Sequence, residues 1–214
     1  MSTPTCTISV IYYSSTGNIA AMAEAMGEGA AAAGADVRVR KVRETAPPEA
    51  IAYNPTWAEF VEATKNDPEA TLDDVDWADG IALGSPTRFG GPASQLKAFL
   101  DTTGGLWAQN KLVDKVGTAF TSVSTAHGGL ESTILAINNH FYHWGSIVVP
   151  LGYENEHLLK VSGNPYGASF VARKGAAPDD VALTAARIQG ERLARITAWI
   201  RAGRDAQAGT ESAS

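Results

Sequence analysis

Short β-branched and apolar runs recur along the chain, and each ends abruptly in small or hydroxylated residues. Thr7 to Tyr13 (TISVIYY) stops at Ser14-Ser15-Thr16-Gly17; Gly80 to Gly84 stops at Ser85-Pro86; Val116 to Ser122 runs into Val123-Ser124-Thr125. Runs this short, without polar alternation, read as strands buried on both faces. Ser146 to Pro150 (SIVVP) reads the same way, and Val37 to Val42 alternates apolar and basic residues as a strand near a sheet edge does. Between them lie stretches with helical spacing: Asn18 to Ala33, ended by Gly34, then Ser94 to Leu100, Glu131 to Phe141 and Asp179 to Arg201. Strands alternating with helices require crossovers, hence a parallel sheet with helices on both faces and five strands as the natural count.

Two segments exceed an ordinary connection. Arg43 to Trp77 is rich in Pro, Glu and Asp, and Gly152 to Pro178 contains VSGNPYGASF. Loops of such length are usually functional, meet a partner or are mobile. The small, polar stretch from Ala202 to Ser214 is expected to be disordered, and residues 1–201 to form one domain. With 214 residues, 44% hydrophobic and 19% charged, the chain has ample material for a single core. A net charge of −6 offers no basic face, which argues against nucleic acid and anionic membranes as partners. Cys6 is the sole cysteine, so no intrachain disulfide forms. No signal peptide or membrane-length apolar run is apparent, so a cytoplasmic location is expected.

In an open parallel sheet, ligands bind beyond the carboxyl ends of the strands, and four loops there stand out. Ser14, Ser15, Thr16, Gly17, Asn18 and Ile19 place hydroxyls, a glycine and a helix start around one point, as a phosphate requires. A plain helix cap would use the same residues. The loop has neither dinucleotide nor P-loop spacing and no basic residue, so neutral donors would hold the charge. The second loop, GSPTRFGGP, carries Pro86, Thr87, Arg88, Phe89 and Gly90, with Pro92 suited to the first turn of the following helix. Thr87, Arg88 and Phe89 either face the crevice or serve as core cap and surface ion pair. In the third loop, Ser122, Val123, Ser124, Thr125, Ala126, His127 and Gly128 combine hydroxyls with small residues, which suits a flat ligand as well as a flexible helix cap. The fourth, His143-Trp144-Gly145, holds a histidine that is either structural or functional; the histidine spacing does not suit a metal. One phosphate loop and two loops suited to a planar ring edge describe a flavin mononucleotide (FMN) site. Trp107, in GGLWAQN, either stacks on a flavin or lies in a subunit contact.

The stretches YYSSTGNIAAMAEAMGEGA, GSPTRFGGPASQLKAFLDTTGGLW, FTSVSTAHGGLEST and VVPLGY resemble the WrbA type of flavodoxin-like NAD(P)H:quinone oxidoreductases, in consistent order from about Thr7 to Arg201. The resemblance implies a doubly wound sheet of strand order 2-1-3-4-5 and non-covalent FMN. It implies NADH or NADPH as co-substrate, a quinone as acceptor, and a homotetramer whose neighbours complete the pocket. It assigns Ser14 to Ile19 to the phosphate, Thr87 to Phe89 and Ser122 to Gly128 to the ring, and His143 to a catalytic place near it. Phe89, Trp107 and Tyr153 would border the slot for nicotinamide or quinone. Thr16 stands where some members carry a tyrosine, and Trp144 where some carry a second histidine. The competing readings are a one-electron carrier of the flavodoxin type and an interaction module with vestigial FMN binding.

Overall fold

The computed structural model describes residues 5–211. In its sheet β1 (Thr7–Tyr12) is flanked in parallel by β2 (Asp36–Lys41) and β3 (Gly80–Arg88). A two-residue strand, β4 (Gly91–Pro92), folds back antiparallel onto the end of β3, and β5 (Val116–Val123) lies parallel on β3's other side. The outermost place is shared: β6 (Ile147–Val148) pairs with Val116 and Gly117, while β7 (Ser169–Val171) pairs with Thr121 to Val123. Among the described residues the sheet therefore has seven strands, ordered β2-β1-β3-β5-β6 with β4 and β7 off that path. Leaving out the β4 hairpin, that path is the expected doubly wound order. The last expected strand is shorter than Ser146 to Pro150 and its position is completed from a second segment.

Side chains alternate along each strand, so successive residues feed opposite layers. Ile8, Val10 and Tyr12 join Met22, Met26 and Phe120 in one core, covered by α1 (Asn18–Ala32) and the final helix. Ile11, Ile81 and Leu83 face the other core. The expected Pro- and acid-rich loop instead folds into α2 (Pro48–Ala52), α3 (Pro55–Ala63) and α4 (Leu72–Trp77). Each of the first two has proline in its opening turn, where the missing N–H costs nothing. Next come α5 (Ser94–Asp101), α6 (Gly104–Ala108), α7 (Leu130–Trp144), α8 (Glu156–Val161) and α9 (Asp180–Glu211).

The disorder expected from Ala202 is corrected over most of its length: α9 continues to Glu211, and residues 212–214 lie outside the described residues. Alanines at 202, 206 and 208 with Arg204 and Gln207 are strong helix formers, and their propensity extends a helix already nucleated by packing. That packing is close. A Cβ on Gly29 would lie 2.0 Å from the Arg187 carbonyl oxygen, and one on Gly190 2.0 Å from that of Met26, so α1 and α9 meet backbone to backbone. No helix of the described residues is long and apolar enough to cross a membrane.

Candidate active site

The loops after β1, β3, β5 and β7 leave the sheet at one edge. β1 lies between β2 and β3, where the strand order reverses, so a crevice opens above it. Ser14 is buried and its Oγ accepts the Gly17 N–H at 3.1 Å, closing a tight turn that Gly17 completes at φ +93°. No side chain caps α1. The N–H groups of its first turn, Ile19 among them, are thus left for a ligand while the Ile19 side chain enters the core.

At the end of β3, Arg88 pairs with Gly91, and the two residues between them have positive φ, 53° at Phe89 and 81° at Gly90. That combination marks a type I′ hairpin turn. Pro92 therefore sits in β4 and does not open a helix; α5 begins at Ser94. Phe89 is fully exposed, so it caps no core. Thr87 Oγ1 bonds the Thr133 hydroxyl and donates to the Gly129 carbonyl, tying the hairpin to the start of α7. The Arg88 guanidinium donates to its neighbour's carbonyl, on Thr87, at 2.9 Å and to Ser15 Oγ at 3.3 Å, bridging the first two loops where a surface ion pair was the alternative.

Between these loops lies a cleft of about 450 Å³, within the usual size of small-molecule sites. Of the expected residues, Ser15, Thr16, Asn18, Pro86, Thr87, Arg88, Ser122, Val123 and Ser124 line it. Thr125, Ala126 and His127 form an exposed turn on its rim, with the Gly128 N–H donating to the Thr125 carbonyl at 3.0 Å. Sequence reasoning missed Asn54, Ala172, Lys174 and Gly175, which also line the cleft. Asn54 caps α3, and the other three follow β7; neither segment carries a recognisable loop motif. Asn18 Nδ2 donates to the Ala176 carbonyl at 3.3 Å and fastens this last loop to α1.

His143 and Trp107 are not brought to this cleft within one chain. His143 is exposed on the last turn of α7, in a separate cavity of about 500 Å³ lined with Pro92, Lys97, His140 and Trp144. The half-exposed Trp107 donates its Nε1–H to the His143 carbonyl at 3.0 Å. Trp144 is buried edge-on against Phe141. Tyr153 is exposed, and its hydroxyl donates to the Gly163 carbonyl at 3.2 Å, away from the cleft lining.

Behind the first loop, Glu44 gathers five donors: Tyr13 OH at 2.8 Å, Trp57 Nε1 at 2.9 Å, Gln95 Nε2 at 2.8 Å, and the N–H groups of Thr45 and Ala46 at 2.9 Å each. Burial works to raise its pKa, but the donors outweigh it and hold the carboxylate below the ordinary range. Burial, then the bond to Glu44, push the Tyr13 hydroxyl far upward, so Tyr13 is a fixed neutral donor. Glu44 is thus an anchor beneath the loop, and nothing in its local sequence marks it.

Residues 7–155 match the family described as NADPH-dependent FMN reductase. The chain is 47% identical over 165 residues to a protein of Deinococcus radiodurans named NAD(P)H dehydrogenase (quinone), covering 77% of this chain and 82% of that one. It is 44% identical over 207 residues to a protein of the same name from Paracoccus denitrificans, covering 93% and 97%. Among solved structures, the flavodoxin, WrbA-like protein from Agrobacterium tumefaciens superposes with a TM-score of 0.61 at 25% identity, over 90% of this chain and 97% of that one. The expected flavodoxin-like fold is thereby established, and the chain belongs to the NADPH-dependent FMN reductase family.

Proposed function

We propose that this protein is an FMN-dependent NAD(P)H:quinone oxidoreductase, catalysing NAD(P)H + H⁺ + quinone → NAD(P)⁺ + hydroquinone. The observation that carries the reading is the convergence of an uncapped α1, the Thr87–Arg88 edge and Ser122 to Ser124 on one cleft. These residues fit FMN: main-chain N–H groups, Ser15, Thr16 and Asn18 suit its phosphate, and the strand ends after β3 and β5 suit the edge of its ring. FMN, when bound, accepts a hydride from the nicotinamide and passes two electrons to the quinone. The protein's own part is positional. Donors at the strand ends favour negative charge on the ring edge, and Phe89, held outward by its hairpin, walls the slot in which either substrate lies.

His143 lines the second cavity and Trp107 is hydrogen-bonded to its carbonyl, so we assign both to a pocket completed between subunits of a homotetramer, with His143 donating a proton to the acceptor. Tyr153 is assigned to the same outer rim. The test follows NADH and NADPH oxidation with benzoquinone, with and without added FMN. FMN-dependent turnover at a fixed stoichiometry of one quinone per nicotinamide is expected; turnover unaffected by FMN depletion would overturn the reading. In the same assay His143→Ala should slow quinone reduction more than it weakens FMN binding.

A further inference from the structure

We infer that Lys174 is a phosphate-binding residue, adding a cation to a cofactor site whose own loop supplies only neutral donors. The inference rests on the proposed FMN site and goes beyond it by naming a residue and a source of charge. The stretch Ser14 to Asn18 contains no lysine or arginine. Lys174 follows β7, whose pairing with Thr121 to Val123 delivers the next residues to the same sheet edge. The Asn18 side chain then holds that loop, through the Ala176 carbonyl, against the first turn of α1. As a result Lys174 lines the cleft together with Ser15, Thr16 and Asn18.

The backbone there is unusual. Lys174 has φ +54° beside Gly175 at φ +75°, a conformation that glycine adopts freely and a lysine adopts at a cost. Strain retained at a binding cleft asks for a compensating role. Among the described residues the ammonium has no ion-pair partner, so its charge is available to a ligand. A phosphate dianion at the α1 N-terminus is the matching chemistry. The phosphate of FMN is favoured over one on the nicotinamide cofactor, because the exposed Phe89 that walls the substrate slot does not line the cleft beside Lys174.

The experiment titrates FMN and riboflavin into the full-length apoprotein, following flavin fluorescence at low and high salt. Lys174→Gln and Lys174→Gly should weaken FMN roughly fivefold to tenfold at low salt, with the gap closing as salt screens the charge. Riboflavin, which lacks the phosphate, should bind all variants alike, and Lys174→Arg should restore FMN affinity. Lys174→Gly should also melt no lower than the parent, because it relieves the left-handed backbone, which separates lost affinity from lost folding. Equal FMN affinity and salt dependence in parent and Lys174→Gln would overturn the inference. So would an equal loss for riboflavin. A parent protein that binds no FMN would overturn the proposed function together with it.

Discussion

Along the seam between α1 and α9, Gly29 and Gly190 occur because no side chain fits between the two backbones. Around the cleft the situation is reversed: Phe89 and Lys174 hold backbone conformations that glycine would take at no cost, and both side chains are exposed. Space dictates residue type in the first region; in the second, exposed side chains are kept at a backbone cost, as the proposed ligand roles would require. The seam sets how closely α1 and α9 lie side by side over one face of the sheet, while the rim accepts strain that the seam and the strands can carry.

The hardest blow to this contrast should fall on the seam. Gly190→Ala places a methyl 2.0 Å from the Met26 carbonyl oxygen and 3.1 Å from the Ala30 nitrogen, both backbone atoms of α1. Overpacking against backbone should cost about 3 kcal/mol, visible as a melting point lower by roughly 10 °C. A variant that melts with the parent would show the helices free to separate, and the seam would no longer differ from the rim.

A middle-sized effect is expected at Glu44, which belongs to neither region and anchors the base of the first loop. Glu44→Gln converts charge-assisted bonds to neutral ones and leaves donors short of acceptors, at a cost of about 2 kcal/mol near neutral pH. The sign of its pH dependence follows from the lowered folded-state pKa. The stabilisation is complete above the ordinary carboxylate pKa and is lost as pH falls through the lower folded value. Denaturant unfolding between pH 7 and 3 should therefore show the parent and Glu44→Gln converging in acid; parallel curves would remove Glu44 as the anchor.

The smallest effect on stability, and the one of opposite sign, should come from Phe89→Gly. Relief of the left-handed backbone is offset by glycine's extra freedom when unfolded, leaving a net gain below about 1 kcal/mol. KM for quinone or NAD(P)H should rise severalfold while FMN affinity holds. A variant with lower melting point and unchanged kinetics would make Phe89 an ordinary packing residue.

The sequence carried the sheet well because β1, β3 and β5 are buried on both faces, a condition that continuous apolar runs meet and little else does. Three of the four rim loops were legible for the same reason, since each begins where such a run stops. The hidden part depends on contacts distant along the chain. β7 has three residues and no apolar run of its own. It is positioned when buried Gln189 accepts the Ala168 N–H at 2.6 Å and donates to Thr118 Oγ1 at 2.5 Å and the Ala119 carbonyl at 3.0 Å. Lys174 stayed unseen because its place in the cleft exists only once those bonds form. Trp107 and His143, though prominent as residues, could not be placed by pattern, because His143 lines a cavity between α5 and α7, apart from the cleft, and Trp107 is hydrogen-bonded to the His143 carbonyl.

The shared outer position of the sheet has one further consequence. β6 and β7 grip separate halves of β5, Val149 and Ala168 extend those grips by one bond each, and the residues between them depart and return. Leu151, Leu158 and Ala168 stay fixed in the core, but the exposed residues between them can lengthen, shrink or change composition across descendants while the cleft keeps its dimensions. New acceptor preferences or neighbour contacts can thus be acquired at this splice point, one hinge of sequence away from a chemistry that stays put.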